Sequence, residues 1–243
     1  AVKCWGRNDS GQLGDGTNNN SSIPVSVLGL NTEVVAISTG LYHTCAILSN
    51  GGLKCWGGNW NGQLGDGTNN DSNSPVQVSG LDRNVVDISA GWYHTCAVLS
   101  SGEVKCWGSN WLGQLGDGTT IDRNIPVTVY GIDTGGIQIA AGDEHTCVVL
   151  EEGAVKCWGD NLYGQLGDGT NQDSNTPVLV YGLDKGVRKV STGGSHTCAV
   201  LDNGAVKCWG GNWNGQLGDG TWNDSNIPVS VYKLDSRVAE VSC

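Results

Sequence analysis

The sequence predicts an all-β protein, a β-propeller built from five 51-residue repeats that form four-stranded antiparallel blades. Three observations predict it: two motifs that recur at the same interval, a spacing without insertions, and the lack of any helical periodicity. A fixed period of this length is typical of repeat architectures, in which each unit buries its apolar face against its neighbours. The Lys-Cys-Trp-Gly motif begins at Lys3, Lys54, Lys105, Lys156 and Lys207. The His-Thr-Cys motif occupies residues 43–45, 94–96, 145–147 and 196–198.

The second repeat shows the predicted strands in order. Residues 85–90 are largely apolar, and residues 94–99 follow after a Gly-Trp-Tyr turn. A turn centred on Gly102 leads to a third strand at residues 104–108. A long connection rich in Gly, Asn and Asp then leads to residues 125–129, where proline near the start is typical of an edge strand. Four short strands for each repeat are the pattern of a propeller blade.

These motifs resemble the regulator of chromosome condensation repeat family along the whole chain. The elements that carry the resemblance are Gly142, His145, Trp158 with the glycine after it, the Gly-rich residues 164–169, and Pro177. The resemblance implies a β-propeller, usually of seven blades, that acts as a scaffold for protein interactions. It also implies closure through one blade built from both chain ends.

We expect that shared blade to lack its second strand, because no His-Thr-Cys segment precedes Lys3. The whole chain, residues 1–243, is predicted to be a single propeller domain. Because it begins with Ala1 and contains no Met, we expect a processed product or part of a longer protein. The repeats comprise residues 1–51, 52–102, 103–153, 154–204 and an incomplete 205–243.

The ten cysteines predict a disulfide framework. Adjacent antiparallel strands bring the two cysteines that flank each hairpin within bonding range. Cys4 and Cys243 are left over, and we expect them to bond either within one chain or between chains. The four predicted hairpin pairs are Cys45–Cys55, Cys96–Cys106, Cys147–Cys157 and Cys198–Cys208.

The amino-acid composition limits the cellular locations and the binding partners that we expect for the protein. The cysteine count, without a C-x-x-C motif, favours an oxidising location, so we expect a secreted or extracellular protein, of bacterial source. The net charge of −11 and the lack of a basic stripe argue against binding to nucleic acid. No apolar run approaches the roughly 20 residues that span a membrane.

The positions that vary between repeats predict a binding face. In an up-and-down blade, the connections after the first and third strands lie at the same end. Exposed Trp and Tyr there would suit a protein partner or the stacking of sugar rings. The alternative is that these rings only pack over neighbouring loops. The predicted binding face comprises Tyr42, Trp60, Trp92, Tyr93, Trp111, Tyr163 and Trp213.

Catalysis and metal chemistry have little support in the sequence. Every His recurs at one repeat position, which favours a hydrogen bond within each blade over a metal ring, and the repeated Trp residues are expected to pack in the core. The acid pairs Asp143-Glu144 and Glu151-Glu152 are expected to be solvated rather than catalytic. The Asp-Gly-Thr-Asn turns offer oxygen ligands for calcium, but they are also ordinary turn chemistry. We therefore predict no enzyme and no cofactor, with calcium as the one alternative.

Two functional hypotheses follow. The first is a non-enzymatic extracellular module that binds a protein or glycan through the aromatic face. The second is a structural subunit that completes its open blade with another copy of itself and so forms an extracellular filament.

Overall fold

The computed structural model describes residues 1–30 and 33–243, and every regular element in that part of the chain is a β-strand. No helix in that part of the chain has the length and hydropathy needed to cross a membrane.

The strands form one two-stranded sheet, which we call the half-blade, and four four-stranded sheets, the first to fourth blades. The half-blade contains β1 (Lys3–Gly6) and β2 (Ser21–Ser26). The first blade contains β3 (Val34–Thr39), β4 (His43–Leu48), β5 (Leu53–Gly57) and β6 (Ser72–Gln77). The second contains β7 (Val85–Ala90), β8 (His94–Leu99), β9 (Val104–Gly108) and β10 (Arg123–Thr128). The third contains β11 (Gly136–Ala141), β12 (His145–Leu150), β13 (Val155–Gly159) and β14 (Ser174–Leu179). The fourth contains β15 (Val187–Thr192), β16 (His196–Leu201), β17 (Val206–Gly210) and β18 (Ser225–Ser230).

Each blade is an antiparallel meander in which consecutive strands are neighbours, which confirms the predicted all-β propeller architecture. In the second blade the first three strands have the predicted bounds, whereas β10 begins at Arg123, two residues before its predicted start. The blades are offset from the sequence repeats, since β3 and β4 lie in one repeat and β5 and β6 in the next.

The apolar core lies at the junctions between blades. Trp107 of the second blade is fully buried in a cluster with Cys55 and Leu64 of the first blade. Its Nε1 donates to the main-chain oxygen of Gln63 at 2.9 Å, so the ring is packed and its polar group is satisfied. This confirms the predicted core packing of the repeated tryptophans at four of the five positions. The equivalent donors are Trp56, Trp158 and Trp209.

A hydrogen-bond relay crosses the junction beside each of these tryptophans. Thr95 Oγ1 donates to the main-chain oxygen of Gln63 at 2.9 Å, and it therefore accepts from Nε2–H of His43 at 2.8 Å. The histidine thus bonds to the following blade, which corrects the prediction of a bond within its own blade. Among the described residues, the other ring nitrogen of His43, Nδ1, has no hydrogen-bond partner, so the ring makes no bond within its own blade. The equivalent pairs are His94–Thr146 and His145–Thr197.

Burial keeps the histidines of this relay neutral. Desolvation lowers the pKa of His43 to about 4 and the pKa values of His94 and His145 to about 3. A neutral ring carries one N–H, which fits the single donor that the relay requires.

The connection between the third and fourth strands is folded around a buried asparagine. Asn59 Nδ2 donates to the main-chain oxygens of Thr68 and Asn70, each at 3.1 Å, and its Oδ1 accepts from the amide of Leu64 at 2.9 Å. Asp66 Oδ1 accepts from both the amide and the hydroxyl of Thr68. The Asp-Gly-Thr segment is therefore a compact turn whose carboxylate already has partners. The same asparagine position is filled by Asn8, Asn110, Asn161 and Asn212.

Each complete blade contains one disulfide between its second and third strands. Cys45 and Cys55 lie directly opposite one another in the register of β4 and β5. Closing a loop of this length contributes about 3 kcal/mol on the chain-entropy estimate. The remaining bonds are Cys96–Cys106, Cys147–Cys157 and Cys198–Cys208.

The two ends of the chain do not complete a blade together in this structure. Trp5 of the half-blade is 63% exposed, and no hydrogen bond between described residues joins the half-blade to the fourth blade. The segment after β18 lies against β15 instead, where the amide of Cys243 donates to Ser191 Oγ at 3.1 Å and Arg188 donates to the main-chain oxygen of Val238 at 2.7 Å. The predicted shared blade therefore stays open.

Cys4 and Cys243 are free thiols. This corrects the prediction of a Cys4–Cys243 bond within one chain, because Cys4 lies beside the first blade while Cys243 lies against the fourth. A bond between these cysteines of two chains remains a prediction.

Candidate functional site

The candidate site lies at the end of the blades where the loops after the first and third strands meet. The Tyr42 ring, in the β3–β4 loop, contacts the Trp60 ring, in the β5–β6 connection, with a centroid separation of 5.3 Å. Both sets of loops therefore share one surface, the loop face, which comprises residues 40–42, 58–71 and their equivalents. The turns after the first strands surround a funnel of about 400 Å³ at its centre. Three equivalent positions from each blade line the funnel, and the one whose side chains differ most is filled by Leu41, Trp92, Asp143 and Gly194.

Four of the predicted aromatic residues form one continuous group, the aromatic cluster: Tyr42, Trp60, Trp92 and Tyr93. The Tyr42 and Tyr93 rings are stacked across the boundary between the first and second blades, at 5.9 Å and 22°. Trp92 meets Tyr93 edge to face at 6.4 Å. Since Trp60 and Trp92 are about half exposed, the cluster is both packed and accessible.

A cation already lies on this cluster. The guanidinium carbon of Arg7 lies 5.0 Å from the centroid of the Tyr42 ring, and Arg7 Nε donates to Asp9 Oδ2 at 2.7 Å. The ring face is the negative side of the aromatic quadrupole and attracts cations. The loop face therefore combines an aromatic surface with a carboxylate to hold a guanidinium group.

The other three predicted aromatic residues lie outside the aromatic cluster. Tyr163 and Trp213 form a separate edge-to-face pair, at 4.7 Å, between the third and fourth blades. Trp111 contacts no other aromatic ring among the described residues, and its Nε1 donates to Asp122 Oδ2 at 3.1 Å. The predicted face is therefore divided into three aromatic parts rather than one.

Two carboxylates occupy the third blade where the second blade has aromatic rings, since Asp143 and Glu144 correspond to Trp92 and Tyr93. We call Asp143, Glu144, Asp160 and Asp173 the acidic cluster. The main-chain oxygen of Glu144 accepts from the amide of Asp160 at 2.9 Å, which holds the two residues side by side. The amide of Trp92 donates to the main-chain oxygen of Asp143 at 3.3 Å and so joins the two clusters. Within the described part of the chain, the carboxylates of Asp143 and Glu144 accept no hydrogen bond and form no ion pair.

The raised pKa values in the acidic cluster arise from burial and from repulsion between carboxylates. Burial, followed by repulsion from Glu144, raises the pKa of Asp143 to about 6. Burial also raises the pKa of Glu144, with further repulsion from Asp160 and Asp173. Burial is likewise the main cause of the raised pKa of Asp160. A cation brought to this cluster would relieve both the repulsion and the unmet charge.

Sequence reasoning misjudged two residues of the candidate site and missed two others. Asp143 and Glu144, predicted to be solvated, are half-buried because they line the junction of two blades. Arg7 and Asp160 occupy one repeat position, and neither was singled out. The signal was present, because that position is filled by Gly58, Ser109 and Gly211 in the other repeats.

Metal sites have limited support. Among the residues that the structure describes, only His196, Cys198 and Cys243 bring three candidate ligand atoms within 4.8 Å of one another. Cys198 is bonded to Cys208, and a disulfide sulfur is not the thiolate that metals bind. Calcium at the Asp-Gly-Thr turns remains a prediction.

Comparisons with known sequences place the whole chain in one group. The model of the RCC1-like domain matches residues 1–243. The ultraviolet-B receptor UVR8 of Arabidopsis thaliana is 36% identical over 237 residues, which are 96% of this chain and 54% of UVR8. The human E3 ubiquitin-protein ligase HERC2 is 32% identical over 249 residues, which cover all of this chain and 5% of HERC2. The chain thus spans about half the length of UVR8 and a small part of HERC2.

Solved structures show the same blade arrangement. Human WBSCR16 superposes with a TM-score of 0.85 at 27% identity, over 98% of this chain and 64% of that protein. Prp20p of Saccharomyces cerevisiae superposes with a TM-score of 0.82 at 25% identity, over 95% of this chain and 58% of Prp20p.

Proposed function

Since the chain belongs to the RCC1-like domain family, we propose that it is a non-enzymatic protein-interaction module whose loop face binds a segment rich in arginine or lysine. This proposal narrows the expectation of a protein or glycan ligand to one chemical class. The aromatic cluster supplies ring faces for the cations, and the acidic cluster supplies the opposite charge.

Relatives support the general role. Prp20p has described binding properties toward Gsp1p and histones, and UVR8 is a receptor. Because this chain spans only part of each relative, their partners are not transferred to it. The partner class is inferred from the chain's own surface.

The observation that carries the proposal is the placement of Arg7 over Tyr42. Arg7 comes from the half-blade, whereas Tyr42 belongs to the first blade, so the contact joins two separate units. It reproduces within the chain the contact that an arginine of a partner would make with the neighbouring Tyr93 and Trp92 rings. Arginine suits such a surface better than lysine, because its planar group can stack on a ring and still donate hydrogen bonds to carboxylates.

The acidic cluster gives the face its charge preference. Asp143 lines the central funnel next to Trp92, and Glu144 adjoins Tyr93, whose pKa it helps to raise after the larger effect of burial. A cationic side chain on the aromatic cluster would therefore also approach carboxylates that have no partner. Aromatic and acidic groups side by side favour a cation over a neutral sugar.

The four disulfides support an oxidising compartment, and secretion is part of the proposal. The bacterial source remains a prediction, since the relatives compared above come from plants, humans and yeast.

Matched peptide probes test the proposal directly. Fluorescent Gly/Ser peptides would carry several arginines, the same number of lysines, or the same number of citrullines, which keep the shape of arginine without its charge. In anisotropy titrations we expect the arginine peptide to bind at least about tenfold more tightly than the citrulline peptide, with lysine between them.

Two results would contradict the proposal. Equal binding of the arginine and citrulline peptides would show that the charge of the peptide does not contribute to binding. Binding of neutral oligosaccharides, with no binding of the arginine peptide, would instead favour a glycan ligand.

A further inference from the structure

We propose that a cavity between the second and third blades binds an N-acetylglucosamine unit, whose ring stacks on Trp111 and whose acetamido group bonds to Trp111 and Asn175. The cavity lies on the loop face but outside the aromatic cluster. The inference starts from hydrogen-bonding groups that are paired at the other junctions, and it does not depend on the proposed binding of arginine segments.

At the other three junctions, one asparagine side chain joins the two neighbouring blades. Asn69 Nδ2 donates to the main-chain oxygen of Trp60 at 3.0 Å, and Asn69 Oδ1 accepts from Asn124 Nδ2 of the next blade at 3.1 Å. The side-chain amide therefore supplies one donor and one acceptor. Asn18 and Asn171 make the equivalent bonds at their junctions.

The junction between the second and third blades lacks this amide, because Thr120 occupies the position of Asn69. Asn175 Nδ2 still donates to the main-chain oxygen of Gly118 at 3.0 Å, but its second N–H has no acceptor among the described residues. The main-chain oxygen of Trp111 likewise accepts no hydrogen bond from them. One donor and one acceptor are thus left free where an amide joins the blades elsewhere.

The backbone at this junction is otherwise the same as at its neighbour. Gly113 has a φ of +82°, and a Cβ on it would lie 2.5 Å from Asn175 Cα. Gly62 has the same φ, and a Cβ on it would lie 2.5 Å from Asn124 Cα. Because the chains approach equally closely at both junctions, the free donor and acceptor keep the spacing that an amide spans.

Trp111 supplies an open aromatic surface beside these groups. It is 68% exposed, whereas the equivalent Trp60 and Trp213 each contact a tyrosine ring. Asp122 Oδ2 accepts from Trp111 Nε1 at 3.1 Å, so the edge of the ring is held while its faces stay accessible. A fixed, exposed indole ring is suited to stacking against the C–H face of a sugar.

A cavity of about 290 Å³ lies between the indole ring and the third blade, and it offers room for one sugar unit. Its wall is mostly polar, which suits the hydroxyl groups of a sugar. The carboxylate of Asp173 on this wall disfavours an anionic sugar. The wall comprises Trp111, Leu112, Thr120, Asp173, Ser174 and Asn175.

An acetamido group fits the free donor and acceptor because it is itself an amide. Its N–H would donate to the main-chain oxygen of Trp111, and its carbonyl oxygen would accept from Asn175 Nδ2. An arginine side chain carries donors only, so it would leave the Asn175 N–H without an acceptor. A single hydroxyl both donates and accepts, but it spans a shorter distance than an amide does.

Chitotriose and cellotriose test the proposal on the 243-residue protein. The two trisaccharides have the same ring stereochemistry and linkage, and they differ in the acetamido group on the second ring carbon. In calorimetric titrations we expect chitotriose to bind about tenfold more tightly than cellotriose. Saturation-transfer NMR should show the acetyl methyl protons of chitotriose among those closest to the protein.

Thr120→Asn is the matched variant, because it restores the amide that the other three junctions contain and should fold as wild type does. We expect it to weaken chitotriose binding about tenfold, since the new side chain occupies both free groups. Trp111→Ala should weaken binding by a similar factor through loss of the stacked ring. Trp60→Ala, at the equivalent position of the first blade, should bind chitotriose as wild type does.

Four results would overturn the proposal. They are no binding of chitotriose to wild type, equal affinities for the two trisaccharides, unchanged chitotriose binding in Thr120→Asn, and tighter binding of a Gly/Ser peptide with a central asparagine. The last result would favour a peptide ligand for this cavity. The arginine peptide should not compete with chitotriose, so the failure of either proposal can be recognised while the other stands.

Discussion

The first and third blades present different chemistry from the same backbone. Tyr42 in the first blade corresponds to Glu144 in the third, and Leu41 corresponds to Asp143. The strands that carry these loops have the same lengths and the same register, down to the opposed cysteines. One blade presents a stacked ring on the loop face, and the other presents carboxylates that have no hydrogen-bond partner among the described residues.

The comparison separates the repeated residues, which build the scaffold, from the residues that vary on the loop face. The repeated residues build the junctions, through the buried Trp, the His–Thr relay and the disulfides. The loop-face positions that differ between repeats determine the chemistry of that face. Changes at the loop face should therefore alter binding with small effects on folding.

The largest expected effect comes from removing the stacked rings. Tyr42→Ala combined with Tyr93→Ala should weaken binding of the arginine peptide at least tenfold, because the Tyr42–Tyr93 stack is lost, and with it the Tyr93 ring that a partner's arginine would contact. Anisotropy titration measures the change. The matched control is Tyr130→Ala with Tyr181→Ala, two exposed rings on the connections at the opposite end, and it should bind as wild type does. A similar loss in the control would show that the effect is not specific to the loop face.

The next largest effect is a pH dependence of binding that arises from the acidic cluster. The pKa of Asp143 is about 6, so lowering the pH from 7 to 5 neutralises this carboxylate. Loss of one nearby charge is worth about 1 kcal/mol, or about fivefold in affinity for the arginine peptide. The Asp143→Asn variant should bind more weakly at pH 7 and show a flatter profile. An identical pH profile in the variant would show that Asp143 does not cause the pH dependence of binding.

A smaller effect concerns stability. The pKa of Asp143 in the folded protein lies above the ordinary value of 3.8, so its charged form opposes folding at neutral pH, and this cost decreases as the pH falls through about 6. Asp143→Asn should therefore raise the free energy of unfolding by about 1 kcal/mol at pH 7, after allowance for its partial exposure, and by nothing near pH 3.5. Denaturant titrations at both pH values measure the difference.

The buried histidines do not interfere with that comparison. Their pKa values are lowered by burial, so they reduce stability below about pH 6.5 in wild type and variant alike. A gain in stability that persists unchanged at pH 3.5 would mean that the asparagine acts through packing rather than through charge.

The smallest expected effect comes from making the third blade resemble the first. Glu144→Tyr replaces a carboxylate with a ring at an equivalent backbone position. Affinity for the arginine peptide should stay within about threefold, because ring contact replaces charge, while its dependence on salt should decrease. Titrations at low and high salt measure this. An unchanged salt dependence would mean that Glu144 does not contact the peptide.

The sequence predicted much of the scaffold because the scaffold is repeated. The bounds of β7, β8 and β9, the hairpin disulfides and the burial of Trp107 all follow from local patterns that occur several times. The exposure of Trp5 was not predicted, because the same motif is buried only where another blade covers it.

The candidate site was predicted only in part, for a similar physical reason. Tyr42 and Tyr93 were identified as variable aromatic residues, but their stacking depends on how two blades meet. The position of Arg7 over Tyr42 and the burial of Asp143 also arise between units that are distant in sequence. Local patterns do not contain that information.

One charge-matched comparison tests the central claim most directly. Asp143→Asn with Glu144→Gln removes two charges from the loop face, and Glu151→Gln with Glu152→Gln removes two from the exposed β12–β13 turn at the opposite end. The two variants have the same net charge, so only the location of the lost carboxylates differs. We predict at least fivefold weaker binding of the arginine peptide by the first variant and less than a twofold change in the second. Equal effects in both variants would contradict the account, because net charge alone would then explain the binding.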